Sequence, residues 1–398
     1  MMPAAPKLRF PEFKDPWRPG HAGDAFKNSR AKGEAGLPIY SVTIDRGLVP
    51  RDSLDRHMAA DAADGQNLRA QRGDVVYNMM RMWQGAVGLA PEECMVSPAY
   101  VVLSPKKDTS PQFFDQWFKT KRMLYLLGAY SHGITSDRLR LYADDFARIP
   151  VRLPTLPEQQ KIAAFLEAVD AKLAALTEKQ AALERFKVGL TRKLLNRQTR
   201  FARNDGKSFP DWQEKQLVDV ATFLKGKGVA KSDIVLNGVT PCIRYGEIYT
   251  DYAETIHTIL SRTNIPTRDL VLSQSGDVII PASGETPLDM ARACCVSQDG
   301  VAIGGDINII RPKIDGVFLA YYLTHAKRVE IAKMAQGNSV VHLYSAQLKQ
   351  LKISVPHVDE QKKIVCALSA MDSKIRTLAD QLSKLQSFKK GLLQQMFV

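Results

Sequence analysis

The sequence predicts an α+β fold in which two globules alternate with two long helices, the helices pairing as an intramolecular antiparallel coiled coil. Three observations predict it. A heptad seam runs without a proline through 158–196, and the same seam recurs at the C-terminal end. The stretches between them, each about 150 residues, mix short β-branched runs with a few helices too irregularly for βαβ units.

The first helix is expected from Glu158 to about Asn196. Stepping alternately by four and three residues from Ile162 visits Leu166, Val169, Leu173, Leu176, Gln180, Leu183, Lys187, Leu190 and Leu194. That is an a/d stripe. Pro157 stands where a first-turn proline belongs, Glu158 suits the helix N-terminus, and no further proline occurs until Pro210. Such a rod would be about 60 Å long and needs a partner, because an apolar stripe left in water contributes no packing.

A shift of 202 residues registers Pro154 on Pro356 and continues without a gap through Glu158/Glu360, Gln159/Gln361, Lys161/Lys363, Asp170/Asp372, Phe186/Phe388 and Lys187/Lys389. The polar matches mark an internal duplication, since two unrelated amphipathic helices would share only leucines. The second seam is Ile364, Leu368, Met371, Ile375, Leu378, Leu385 and Leu392. Lys187 and Lys389 interrupt both seams at one level, either fixing register or snorkelling outward. Gln180 interrupts the first alone.

The repeat extends into the globules. Phe10-Pro11-Glu12-Phe13 matches Phe209-Pro210-Asp211-Trp212, the turn Gly73-Asp74-Val75-Val76 matches Gly276-Asp277-Val278-Ile279, and Leu141-Tyr142 matches Leu343-Tyr344. Aromatic helical segments follow Pro111 and Asp315. The expected partition is 1–153, 154–200, 201–355 and 356–398.

Net charge is +13, from 55 Lys and Arg against 42 Asp and Glu, which makes nucleic acid the first candidate partner. With no run of 18 apolar residues and a polar start, the expected compartment is the cytoplasm, without membrane association. Cys94, Cys242, Cys294, Cys295 and Cys366 form no CxxC and the seven histidines no ligand spacing, so buried free thiols are expected and no metal site.

Phosphate and base contacts call for basic loops with aromatic or amide neighbours. In the first globule the candidates are Lys27, Arg30, Tyr40, Arg72, Tyr77, Asn78, Arg81 and Trp83, with Arg138 and Arg140 at the strand that enters the helix. The alternative for 77–83 is that the methionines and Trp83 are core and Arg81 alone is exposed. In the second globule they are Lys225, Lys227, Lys231, Arg244, Tyr245, Ser283 and Glu285, with His342 at the strand entering the second helix. The lysine and glycine run 224–231 is either a phosphate-gripping loop or a solvated one.

Catalytic motifs fail. Ser97-Pro98-Ala99-Tyr100 lacks the second proline of an adenine methyltransferase motif, Glu12-Phe13-Lys14 lacks an acidic partner, and no phosphate loop of the G-x-x-x-x-G-K-[ST] type occurs. No catalytic residue is assigned.

This order of parts resembles the specificity subunit of Type I restriction-modification systems, over nearly the whole chain. The marks are LPEQQKIAAFLEAVD and VDEQKKIVCALSAMD, the paired FPEF and FPDW openings, the GDVV and GDVI turns, and the endings FKVGL and FKKGL. The resemblance implies two target-recognition domains separated by helical repeats, in a non-catalytic subunit that reads a bipartite, asymmetric site in double-stranded DNA. It implies two methyltransferase subunits and restriction subunits as partners, carrying S-adenosylmethionine, ATP and Mg, with no cofactor bound by this chain. Phe186 and Phe388 either dock a methyltransferase helix or broaden the seam. Rival readings are a self-contained DNA adenine methyltransferase with degenerate motifs and a coiled-coil scaffold that binds nucleic acid or protein.

Overall fold

The structure, a computed structural model, describes residues 5–54, 66–135, 138–337 and 341–397, so Val398, the expected end of the second helix, lies outside the described residues. The chain divides into two compact units, Met1–Glu178 with Ala379–Val398, and Lys179–Leu378. Each unit therefore owns one globule and a part of both long helices.

In the first unit the strands are β1 (Arg18–His21), β2 (Phe26–Ser29), β3 (Ile39–Thr43), β4 (Gly47–Pro50), β5 (Leu68–Ala70), β6 (Val75–Asn78), β7 (Val87–Leu89), β8 (Cys94–Val96), β9 (Tyr100–Pro105) and β10 (Pro150–Leu153). Helices are α1 (Ala22–Ala25), α2 (Pro111–Phe118), α3 (Lys121–Ala129), α4 (Ala143–Ala147) and the long α5 (Leu156–Leu195). The strands form two four-stranded sheets, ordered β2-β9-β6-β7 and β4-β3-β8-β5, and a separate β1-β10 ribbon. The aromatic segment after Pro111 breaks into α2 and α3 because Thr120 ends one helix and caps the next, its hydroxyl accepting from Met123 N at 3.4 Å.

The second unit repeats the plan with β11 (Gln213–Gln216), β12 (Ala221–Lys225), β13 (Thr240–Ile243), β14 (Thr255–Ile256), β15 (Ser261–Thr263), β16 (Val278–Pro281), β17 (Ser283–Gly284), β18 (Cys294–Val296), β19 (Ala302–Ile303), β20 (Ile307–Pro312), β21 (Val341–His342) and β22 (Lys352–Val355). Its helices are α6 (Leu217–Val220), α7 (Tyr245–Thr250), α8 (Pro287–Met290), α9 (Gly316–Tyr321), α10 (Arg328–Met334), α11 (Ser345–Lys349) and α12 (Val358–Gln395). The order β12-β20-β16-β18 reproduces β2-β9-β6-β7, with β14 added at the edge, and β15-β13-β19 reproduces β4-β3-β8. One parallel pair of each unit falls in the same place, β3 with β8 and β13 with β19, while the parallel pairing of the added β14 with β18 belongs to the second unit.

The duplication reaches single hydrogen bonds. Gly73 and Gly276 hold φ of +89° and +94°, and the next residue, Asp74 or Asp277, accepts from Gln71 N at 2.9 Å or Gln274 N at 2.8 Å. Gln159 donates to Pro154 O at 2.9 Å and accepts from Ser110 N, while Gln361 donates to Pro356 O at 2.8 Å and accepts from Asp315 N. Lys161 lies over the Phe10 ring at 4.8 Å and Lys363 over Phe209 at 5.7 Å, which explains the paired aromatic-proline openings. Glu158 and Glu360, both 1% exposed, are each met by an arginine, Arg9 at 2.6 Å and Arg200 at 2.9 Å.

The coiled-coil seam does two jobs. At its ends it is globule core: Ile162, Leu166 and Val169 pack with Phe113, Trp117 and Leu392 in the first unit, and Leu194, Ile364 and Leu368 with Phe318 and Leu343 in the second. Early α5 thus meets late α12 in one unit, and late α5 meets early α12 in the other, which is antiparallel pairing. Leu173, Leu176, Leu183, Leu190, Met371, Ile375 and Leu385 are half-buried, and Leu378 is buried. Leu382, opposite Gln180 in the repeat, is also buried and belongs to the seam. The interrupting lysines do not snorkel: Lys389 pairs with Asp170 at 2.5 Å and Lys187 with Asp372 at 2.6 Å, related contacts under the 202-residue shift. Phe186 and Phe388 stay 58% and 53% exposed and do not broaden the seam.

Among the described residues no helix is long and apolar enough to cross a membrane, and no three His, Cys, Asp or Glu gather as a metal site. Four thiols are buried; Cys366 on α12 is exposed, against expectation, because it faces away from the seam.

Candidate nucleic-acid interface

In the first unit β6 ends at Asn78 and the chain turns sharply. Arg81 N donates to Asn78 O at 3.0 Å, Trp83 Nε1 to Met80 O at 3.1 Å, and Gly85, at φ +93°, closes the turn. Met82 is driven into the core, whereas Arg81 and Met80 are left exposed. The result lies between the two readings of this loop: Met82 is core, Trp83 and Met79 are half-buried, and Arg81 faces solvent. Asn78 spends its side-chain oxygen on Met80 N at 3.0 Å, leaving its amide NH2 as a donor.

A second segment crosses beside this turn. His132 and Arg140 bridge through reciprocal backbone bonds of 2.9 and 2.8 Å, and Leu141 N donates to Met79 O at 2.9 Å. Leu141 is fully buried and pins the segment, so Arg140 and Tyr142 on either side are turned outward. Arg138 is exposed too. A cleft of about 560 Å³ beside them is lined by Asn28, Arg30, Tyr100, Tyr142 and Arg148 among others, with Asp144 and Asp145 also in its lining. Lys27, on β2, and Arg72, before the Asp74 turn, are exposed.

Two expected contacts here are corrected. Tyr77 is fully buried; its hydroxyl donates to Leu141 O at 3.3 Å and burial raises its pKa. The reason is topological: β6 is an inner strand whose alternate residues enter two different cores, Val75 and Tyr77 one and Val76 the other, so it has no solvent face. Tyr40, 6% exposed, donates its hydroxyl to Glu92 at 2.6 Å, a bond that with burial pushes its pKa up to about 12.

The second unit builds the same place from different side chains. Leu343, fully buried, donates its N–H to Ala282 O at 2.9 Å, as Leu141 does to Met79, and His342 and Tyr344 are the exposed flanks. Their rings stack, 6.1 Å apart at 24°. The β17-β21 ribbon pairs Ser283 with His342, and the Tyr249 hydroxyl donates to Ser283 O at 2.7 Å while its ring meets Tyr245 edge-on at 6.4 Å. The structure therefore gathers Tyr245, Ser283, exposed Glu285 and His342 around one ribbon. Ser283 is corrected as a contact, because its side chain is 7% exposed and its part is backbone pairing.

Arg244 is corrected in part: its guanidinium folds back on Glu247 at 3.1 and 3.2 Å, and Ser261 donates to the same carboxylate at 2.5 Å. Lys225, Lys227 and Lys231 are exposed. Two of their loop's backbone N–H groups are already spent, Gly226 N donating to Ile307 O at 2.9 Å and Lys227 N to Ile303 O at 3.0 Å. Gly226 is required there because a Cβ would lie 2.0 Å from Gly304 O.

Sequence reasoning missed Tyr142, Tyr344 and Arg148. The repeated Leu-Tyr pair was the available signal, but only the fold shows the leucine inward and the tyrosine out. The buried thiols offer no nucleophile: burial pushes Cys94 and Cys242 up to about 11 and Cys294 and Cys295 to about 12.

The family model for the "Type I restriction modification DNA specificity domain" matches this chain twice, over 21–185 and 210–387. The Type I restriction enzyme MjaVIII specificity subunit of Methanocaldococcus jannaschii is 23% identical over 266 residues, covering 62% of this chain and spanning 61% of that relative's length. The crystal structure of the Type I restriction-modification S subunit from M. genitalium aligns at TM-score 0.58 and 15% identity, covering 99% of each chain. A structure from work on complex assembly and conformational transition of the type I R-M system aligns at TM-score 0.56 and 18% identity, covering 97% of this chain and 99% of that one. These two likenesses concern the fold. With both globules and most of both long helices inside the matched regions, the chain belongs to the Type I restriction modification DNA specificity domain family.

Proposed function

We propose that this chain is the DNA-reading subunit of a Type I restriction-modification complex, with no catalytic residue of its own. Each globule reads one half of a bipartite site in double-stranded DNA through the segment around its pinned leucine. The observation that carries this is a common scaffold with unlike readers: Arg140 and Tyr142 flank Leu141 where His342 and Tyr344 flank Leu343. Arginine favours guanine O6 and N7, whereas a histidine and tyrosine pair offers other donors and a flat face. Dissimilar half-sites and an asymmetric whole follow.

The long helices continue from one unit into the other, and in this reading they fix the interval between half-sites, as a dimer's geometry fixes operator spacing. The exposed Phe186 and Phe388, matched under the repeat, serve as anchors for two methyltransferase subunits, with restriction subunits joining the assembly. S-adenosylmethionine, ATP and Mg would be held by those partners.

The test is to map methylated adenines in DNA of the source cell with and without this gene, then with the two globules' Arg138–Tyr142 and Val341–Tyr344 segments exchanged. A gapped motif that vanishes with the gene, and whose halves change with the exchange, supports the reading. Methyl transfer from labelled S-adenosylmethionine by the purified chain alone would instead identify a self-contained enzyme.

A further inference from the structure

A cleft of about 500 Å³ opens in the first unit between the start of α3 and the end of α12. Its floor is apolar, formed by Leu393 and by Phe397, whose ring lies 5.2 Å from Phe113 and 6.1 Å from Trp117. Its rim carries Lys7, Lys119, Lys121, Arg122 and Lys390. Lys119 is paired with Asp115 at 2.8 Å; among the described residues the other four have no ion pair.

Unpaired cations gathered round an apolar hollow attract an anion that also has something to bury. Duplex DNA would meet the rim but leave the floor wet, because phosphate and sugar present no apolar knob. An acidic amphipathic helix answers both, with carboxylates on the rim and one apolar side chain on Phe397. The repeat shows that this is not a general property of the fold. In the second unit, in the register that matches Ser110 with Asp315 and Gln116 with Tyr321, Lys119, Lys121 and Arg122 become Thr324, Ala326 and Lys327, and Lys390, Leu393 and Phe397 become Val188, Thr191 and Leu195. Lys327, the one cation kept there, is already paired with Glu330 at 2.7 Å.

We propose that this cleft seats an acidic, amphipathic segment of a partner protein, and that only the first unit offers the seat. A partner with one such segment then distinguishes the two units of a duplicated chain. This goes beyond DNA reading and can fail while that reading stands.

The probe is a fluorescein-labelled, helix-forming peptide with glutamates on one face and Leu and Phe on the other, titrated into the full chain by anisotropy. Its twin has serine in place of Leu and Phe. The peptide should bind about tenfold or more tighter than the twin. K121E/R122E/K390E should abolish that preference while duplex binding and Tm are kept, and K179E/K313E/K333E, an equal charge change on exposed lysines of the second unit, should preserve it. Equal binding of the twin, equal loss in the control variant, or competitive displacement of the peptide by duplex DNA would each overturn the proposal. Should the triple variant not fold, Lys390→Glu alone must still weaken the peptide about threefold, and no loss overturns it.

Discussion

Glu254 offers the sharpest test of how the second unit holds the long helices. Its carboxylate is 14% exposed, bonded to His325 Nε2 at 2.6 Å and paired with Lys187 Nζ on α5 at 3.1 Å. Lys187 also reaches Asp372 on α12 at 2.6 Å, lies over the Tyr321 ring at 5.2 Å, and Tyr321 donates its hydroxyl to Asp372. Burial by itself would raise the Glu254 pKa, but His325 and Lys187 outweigh it and hold the carboxyl at about 2, against an ordinary 4.5. At about 1.4 kcal/mol per pH unit, that gap is worth about 3 kcal/mol of stability at neutral pH. The folded value lies below the unfolded one, so the stabilisation is full above about pH 4.5 and is lost as pH falls toward the folded value.

Glu254→Gln keeps the shape and the ability to accept hydrogen bonds while removing the charge. The variant should be about 3 kcal/mol less stable at pH 7 in urea unfolding read from the second unit, for example by hydrogen exchange at β18. The deficit should shrink by about 1.4 kcal/mol per pH unit once the pH is below about 4.5. A deficit that is the same at about pH 3.5 as at pH 7, or one below about 1 kcal/mol throughout, would refute the reasoning.

Arg200→Met strands Glu360, 1% exposed, with Trp212 Nε1 at 3.1 Å as its remaining side-chain donor, and should cost about 3 kcal/mol in urea unfolding, whereas Arg203→Met, from an exposed pair, should cost under about 0.5 kcal/mol. Gly88→Ala places a Cβ 2.2 Å from Leu48 N, backbone that cannot yield, and should lower stability by about 2 kcal/mol or more by the same measurement. Tyr142→Ala and Tyr344→Ala should each weaken duplex binding about threefold to tenfold in a filter or anisotropy assay with Tm kept, since both rings are exposed. Phe186→Ala and Phe388→Ala should leave stability within about 0.5 kcal/mol but weaken co-purification of a methyltransferase partner.

Much of the architecture could be read from the chain because period and repetition are local properties. The stripe from Ile162 to Leu194 and its copy named the helices to within two residues of their starts, Leu156 and Val358. The candidate interface was harder. Lys27, Arg30, Arg81, Arg138, Arg140, Tyr245 and His342 are exposed or at the ribbon, but Tyr40 and Tyr77 sit in strands with both faces covered, and no alternation betrays which aromatic in such a strand is outward.

By itself the sequence determined that the polypeptide is doubled, that its two halves share one plan, and that two amphipathic helices must find partners within it. Tertiary structure alone decided where the seam stops being a coiled coil and becomes globule core, that Lys187 and Lys389 end in ion pairs, and which of two neighbouring residues, Leu141 or Tyr142, is left in water. The physical reason is range. Periodicity is written by neighbours a few residues apart, whereas burial of one side chain depends on groups brought from far along the chain, as Met79 O receives Leu141 N and Asp372 receives Lys187.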